Sequence, residues 1–319
     1  AADKLLLDDR SRDDFTIESM PPDNVDYRAN LKIQDGCDFM CSFCVIPFAR
    51  GRARSRALPN LVQEARQLVD NGALELVLTG VNIGTYDWQE HSVLDVIDRL
   101  ANIDGLSRIR ISSIEPTTIP LELFDRMNDD QHPLLPYLHI PLQSGSDAVL
   151  ERMRRKYTAA EFLDFIRAAT EYVPGIGIGT DVMVGMPGET DDDFAETCRI
   201  VTDGPIDYVH VFKFSERQGT AAERMNDKVP GTIKNRRSAV LRRLSAQKQR
   251  QQALRHLDDA HQVLFENCEN GYWTGYTGNY IRVAVRSDDI LRNRIAPVRL
   301  DSFEGDAVLG TQLEPAFSS

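Results

Sequence analysis

Through the first two-thirds of this 319-residue chain, short aliphatic and β-branched runs alternate with amphipathic stretches. That rhythm leaves few folds open, because strands separated by helix-length segments pair in parallel and bury their faces under the helices. Strands are expected at 29–33, 74–79, 108–112, 137–140, 177–184 and 208–212. Helices are expected at 58–71, 92–103, 120–128, 147–154, 159–172 and 190–203. Six such units make an α/β fold, either a partial (β/α)6 barrel or an open doubly wound sheet. In both, ligands gather at the C-terminal ends of the strands.

After Phe214 the rhythm stops, and a polar connection through Gly219 and Pro230 leads into one long helix at 233–257, rich in Arg, Gln and Leu. Five short strands follow at 262–265, 271–276, 280–285, 294–303 and 307–313, the pattern of a small all-β, OB-like barrel. The expected organisation is therefore an N-terminal segment or linker at 1–28, an α/β core with its long helix at 29–257, and a barrel at 258–319.

A formal net charge of −12 excludes indiscriminate attraction to nucleic acid but not local patches. Arg50, Arg52, Arg54 and Arg56 alternate along one loop, and Lys234, Arg236, Arg237, Arg242, Arg243, Lys248, Arg250 and Arg255 crowd the long helix. No apolar run approaches the ~20 residues that span a bilayer, and the first residues lack a signal-peptide pattern. A cytoplasmic location without membrane attachment is the expectation. The chain begins without Met, which suggests a processed or shortened form of a longer protein.

Five cysteines in a chain of this size do not make a disulfide framework. Cys198 and Cys268 stand alone, whereas Cys37, Cys41 and Cys44 form C-x3-C-x2-C directly after the first strand. One loop can wrap these thiolates around a single centre. A four-iron cluster normally takes four thiolates, so three leave one iron open for a further ligand. A closed zinc site would need a fourth Cys or His nearby, and none follows within reach in sequence.

The loop, with Phe43 before its last cysteine, resembles the signature of radical S-adenosylmethionine (SAM) enzymes. In that family the open iron chelates the amino and carboxylate groups of the cofactor, and the [4Fe-4S] cluster donates the electron that yields a 5′-deoxyadenosyl radical. The longer strings LKIQDGCDFMCSFCVIPFARGRARSR, SSIEP, HIPLQSGSDAVLERMRRKYT, TDVMVGMPGET and HVFKFSERQGT are similar to the tRNA methylthiotransferases. IQDGC, LTGVNIGTY and GYTGNYIRV look closest to the branch acting on N6-threonylcarbamoyladenosine beside the anticodon. The resemblance implies replacement of an adenine C2–H by a methylthio group, with two SAM molecules used, tRNA as partner, and an electron donor such as flavodoxin or ferredoxin.

The resemblance also implies site residues. Gly80, Val81 and Asn82 follow the second strand, where a glycine lets backbone approach a ligand and offer N–H and C=O groups. Glu115, presented by Pro116, is placed to accept hydrogen bonds from ribose hydroxyls. Gln143 and Ser144 end the fourth strand, and Arg155 could fork onto the cofactor carboxylate, although Arg154 and Lys156 are open alternatives. Asp181, Gly185 and Glu189 follow the same logic on the fifth strand, with a plain helix start as the competing reading for Glu189. His139 and His210 lie in apolar strand patterns and read as packing. The barrel resembles the TRAM domain that holds tRNA, with Tyr272, Trp273, Tyr276 and Arg282 beside one another as stacking and cationic groups. At strand spacing about half of those aromatics belong to the barrel core.

Full-length methylthiotransferases carry a further N-terminal domain whose three cysteines hold a second cluster; only about thirty-six residues precede Cys37 here. The chain is therefore expected to bind and cleave SAM without completing methylthiolation, the second cluster belonging to a longer form. Two other readings stay open: the same chemistry on a ribosomal-protein aspartate, and a non-catalytic RNA-binding module with structural zinc.

Overall fold

The computed structural model describes residues 14–17 and 27–314. Most of the expected segment 1–28 thus lies outside the described residues. Six parallel strands run in chain order: β1 Arg28–Lys32, β2 Glu75–Thr79, β3 Arg108–Ile111, β4 Tyr137–His139, β5 Gly177–Val184 and β6 Tyr208–Lys213. They form two three-stranded sheets, β1-β2-β3 and β4-β5-β6, joined by a parallel bridge between Ile109 and Leu134. The result is a half-barrel rather than a doubly wound sheet.

Helices α1 Leu58–Asp70, α2 Val93–Ala101, α3 Leu123–Asn128, α4 Asp147–Met153, α5 Ala159–Tyr172 and α6 Asp191–Asp203 connect the strands. Ser92, Thr158 and Thr190 start α2, α5 and α6 with capping boxes closed by Asp95, Glu161 and Asp193. The buried Val93, Val96, Ile97 and Leu100 of α2 recur at helical spacing and join the core under the sheet. The helix expected at 120–128 begins later, because Pro120 opens a turn closed by the Leu123 N–H on its carbonyl at 3.2 Å.

The long helix α7, Gly231–Arg255, covers the open edge of β6. Ser245 acts as a strand would: its hydroxyl accepts from the Val209 N–H at 2.8 Å and donates to the Val209 carbonyl at 3.1 Å. Several of its cations are tied to the α/β core. Arg237 pairs with Glu189 and Asp191, Arg255 with Asp207, and Lys248 donates to the carbonyls of Thr202 and Gly204.

Strands β7 Ala260–Glu269, β8 Tyr272–Thr277, β9 Arg282–Arg286, β10 Arg294–Glu304 and β11 Ala307–Gln312 close a barrel in the order β7-β8-β9-β11-β10, with β10 pairing back onto β7. Irregularities at Phe265/Asn267 and Leu300/Ser302 bend the strands enough to close it. This barrel sits under the N-terminal ends of the half-barrel strands. Arg108 donates to the carbonyls of Tyr276 at 3.1 Å and Gln262 at 2.7 Å, and Arg110 donates to the Gly278 carbonyl at 3.0 Å and to the Glu75 carboxylate at 2.6 Å. All four residues of β3 are buried, so the arginine face of its Arg-Ile-Arg-Ile repeat points not to water but to the second barrel.

Candidate iron–sulfur and cofactor site

The C-terminal end of β1 is held by polar groups that precede the cysteines. Gln34, fully buried, donates to the carbonyls of Asp35 and Gly36 at 2.9 Å and accepts from the Val81 and Asn82 N–H groups, both at 2.9 Å. Gly36 has φ +70°, and a Cβ there would lie 1.9 Å from the Arg52 carbonyl oxygen, so only glycine lets the two arms of the loop close. Ser42 ties the loop to α4: its hydroxyl donates to the Arg152 carbonyl at 2.6 Å and its N–H to Met153 at 3.0 Å. Phe43 packs into a small apolar cluster of Val149, Met153, Met186, Phe214 and Ala222.

Cys37, Cys41 and Cys44 are thereby presented half-buried on one loop. Burial pushes the Cys37 thiol up to about 11, and the neighbouring Cys41, Glu115 and Cys44 push the same way. Burial raises Cys41 too, against the pull of Arg155. Cys37 and Cys41, both raised by burial, are favoured as thiolates by a cationic centre, and an iron cluster supplies one.

Arg155 reaches this loop from beyond α4. Its Nη1 donates to Cys41 Sγ at 3.3 Å, its Nε to the Tyr157 hydroxyl at 3.1 Å, its guanidinium lies 4.9 Å over the Tyr157 ring, and its Nη2 pairs with Glu115. Burial works against the charge of Arg155, but Tyr157, Glu115 and Cys41 outweigh it and keep it protonated. Of the open alternatives, Arg155 is thus the one beside the cysteines, while Arg154 serves as the left-handed C-cap of α4 at φ 59°. Asn82 adjoins the same turn, since its Oδ1 accepts from Thr118, which also donates to the Glu115 carbonyl, both at 3.0 Å. The Asn82 Nδ2 is buried with no hydrogen-bond partner, an N–H2 group left over for a ligand.

Other expected cofactor residues are placed differently. The N–H groups of Val81 and Asn82 are spent on Gln34, and Gly80 is required because a Cβ would meet Ile83 at 2.8 Å and Gln34 at 3.0 Å. Ser144 is buried against Thr197, hydroxyl to hydroxyl at 3.3 Å. Glu189 accepts from the Gly185 N–H at 2.9 Å and pairs with buried Arg237, so the turn Gly185–Glu189 locks β5 to α7, while its Met186 joins the apolar cluster that Phe43 packs against. Gln143, at φ 65°, prolongs the pairing of β4 with β5 through its backbone. Asp181 faces the inside of the half-barrel, where His139 Nε2 lies 2.9 Å and His210 Nδ1 3.5 Å from its Oδ1. Burial alone would raise that carboxyl, but the two imidazoles bring it down to about 2. His139 and His210 are therefore polar partners and not apolar packing; Gln34 and both histidines were hidden in strand-like runs.

The arginines and aromatics read as RNA contacts are placed unequally: some are buried, while Arg50 and Arg52 stay half-exposed beside their carboxylates. Arg56 is fully buried, paired with Glu64 and donating to Asn60 at 2.7 Å. Asp35 collects Lys32 at 3.0 Å, Arg50 at 3.1 Å and Arg54 at 3.2 Å, and Arg52 holds Asp38 at 2.7 Å. Trp273 belongs to the barrel core, Tyr276 stacks on Tyr280 at 4.8 Å with Arg28 over it, and Arg282 pairs with Asp306. Tyr272 remains exposed.

A half-barrel with a three-cysteine loop at its strand ends, an arginine on one sulfur and a carboxylate beside it defines a class. The chain belongs to the radical SAM superfamily, whose family model matches residues 31–201 and whose members bind a [4Fe-4S] cluster and SAM. It is 38% identical over 281 residues to a threonylcarbamoyladenosine tRNA methylthiotransferase, MtaB, of Bacillus subtilis (strain 168), covering 86% of this chain and 62% of that one. The MtaB of Chlamydia pneumoniae is 34% identical over 97% of this chain and 72% of its own. The chain thus spans a little under two-thirds of the Bacillus relative. Coproporphyrinogen III oxidase (HemN) from Escherichia coli shares the fold at 16% identity and a TM-score of 0.53, over 72% of this chain and 54% of that one. Among the described residues no helix is long and apolar enough to cross a membrane.

Proposed function

We propose that this chain carries the radical-generating core of an enzyme that transfers a methylthio group to C2 of N6-threonylcarbamoyladenosine beside the tRNA anticodon. The observation that carries the reading is the convergence of Arg155 and Glu115 on Cys41 at the rim of the half-barrel. When bound, the cluster supplies the single electron that cleaves SAM. Cys37, Cys41 and Cys44 would hold it through three thiolates, one fewer than the four irons of such a cluster. Arg155, kept charged by its neighbours, attracts the cofactor carboxylate, Glu115 accepts from the ribose hydroxyls, and the spare Asn82 N–H2 group donates to an acceptor of the same molecule. Phe43 and its apolar neighbours exclude water beside the cysteines.

The names of the two relatives support the nucleoside, and the closed barrel of β7–β11, within the segment 258–319, is read as the TRAM domain that grips tRNA, with exposed Tyr272 as a stacking surface. The core extends over 29–257, with 1–28 as its linker. A flavodoxin or ferredoxin delivers the electron, a second cluster belongs to a longer form, and the site of action is the cytoplasm. Nucleoside mass spectrometry of tRNA from cells lacking the gene tests this. Loss of the C2-methylthio group from threonylcarbamoyladenosine is expected; its persistence, with another methylthio nucleoside lost, would move the substrate elsewhere.

A further inference from the structure

Inside the half-barrel lies a cavity of about 600 Å³, lined by Asn30, Ser112, Ser113, Phe212 and the His139, Asp181, His210 group. The cysteines are not part of its lining. His139 closes β4, Asp181 sits within β5, and His210 stands directly opposite Asp181 in the β5–β6 register. One nitrogen from each histidine and one aspartate oxygen lie within 4.8 Å of one another. We propose that these three side chains form a binding site for a divalent transition-metal ion, with Zn2+, Mn2+ and Fe2+ as the fitting class.

The donor set is two imidazoles and one carboxylate, a combination that binds such ions on one face and leaves the other positions open. Donors held at about 2.1 Å from one ion stand about 3.0–3.4 Å apart at octahedral to tetrahedral angles. The distances from Asp181 Oδ1, 2.9 Å to His139 Nε2 and 3.5 Å to His210 Nδ1, fall around that range without a metal to impose them. His139 is also oriented from behind, because its Nδ1 lies 3.1 Å from the Tyr208 hydroxyl, which pairs in turn with Tyr137. Without a metal, Nε2–H donates to Asp181; metal binding would shift that proton to Nδ1, where the Tyr208 hydroxyl can accept it and hold the ring, as second-shell partners do for metal-bound histidines. Asp181 supplies the negative charge of the donor set. The two other charged groups lining the cavity are already engaged, Arg110 with Glu75 and Arg28 with Glu266, and the hydroxyls of Tyr137 and Tyr208 pair with each other; Tyr280 completes the titratable lining. The vacant positions would face the cavity, where an oxygen of a bound nucleoside could complete the shell.

Mn2+ titration of the anaerobically purified, cluster-loaded chain tests the site, because the six-line resonance of free Mn2+ is lost on binding and the oxidised cluster is diamagnetic. One Mn2+ per chain is expected. His210→Ala, whose ring is largely exposed and whose loss leaves the core packed, should weaken binding at least tenfold while iron and sulfide content stay unchanged. Asp181→Asn, which keeps the shape and removes the charge, should do the same. Binding by wild type no tighter than by these variants would overturn the site, and no turnover is needed to see it.

Discussion

The cysteine rim and the arginine loop lie within twenty residues of each other in sequence, and both stand out on first reading. Folding treats them in opposite ways. The thiols at the rim stay half-buried with Cys37 and Cys41 raised, so their chemistry is left for a ligand to complete. Each arginine of the loop finds a carboxylate of the chain itself: Asp35 for Arg50 and Arg54, Asp38 for Arg52, Glu64 for Arg56. A run of like charges in sequence is therefore not by itself an unpaired charged surface: Arg56 is fully buried, and half-exposed Arg50 and Arg52 each face a carboxylate. Its sign depends on partners that the fold brings in, whereas a cluster-binding loop carries all three of its ligands itself.

The largest effect that sharpens this contrast is expected far from the rim, where two further arginines are fully committed. Arg110→Leu leaves Glu75 buried without its main partner and removes two donors to the second barrel, and breaking such a pair costs about 3–5 kcal/mol. Chemical denaturation should show that loss; a change under about 1 kcal/mol would mean that the barrel is not anchored through β3. At the rim, Glu115→Gln should weaken SAM binding to the loaded chain by about 1.5–3 kcal/mol, the worth of a hydrogen bond to a charged group. Equal affinities in a titration would remove Glu115 from the site.

Smaller effects belong to the loop. Asp35 is held down to about 2, since hydrogen bonds from Lys32, Arg50 and the Gly36 N–H outweigh the opposing effect of burial. A carboxylate depressed in the folded state stabilises it above its unfolded pKa near 4, and that contribution is lost as pH falls from there to about 2. Asp35→Asn should therefore lower stability at neutral pH and flatten the acid limb between pH 4 and 2; an unchanged limb would show that Asp35 is not what gathers the loop. Smallest of all, Arg52→Ala breaks a half-exposed pair with Asp38 and should cost no more than ~1 kcal/mol. If it instead lowers tRNA affinity several-fold and reduces its salt dependence, that arginine meets phosphate despite its partner.

Much of the architecture was legible in the sequence because it is written in local periodicity. The six parallel strands, the long helix and the five-stranded closure follow from the spacing of apolar runs. What escaped was set by partners distant in the chain. The Arg-Ile-Arg-Ile strand β3 reads as half-solvated until residues 262–278 cover it. Gln34, His139 and His210 lie in short strand-like runs, where a polar residue gives no sign of whether it faces a cavity. The cysteine loop was legible for the reverse reason. The sequence named Arg155 with Arg154 and Lys156 left open, and a left-handed residue at the end of α4 sets Arg155, not Arg154, beside the cysteines.

Reductive cleavage of SAM by the reconstituted chain tests the central claim directly. Under a strong one-electron reductant, wild type carrying about four irons per chain should release 5′-deoxyadenosine and methionine. Cys37→Ala, Cys41→Ala and Cys44→Ala should lose both the iron and the cleavage, while Cys198→Ala and Cys268→Ala keep both. A fully loaded wild-type chain that leaves SAM intact, or a Cys41→Ala chain that still cleaves it, would contradict the assignment of the rim.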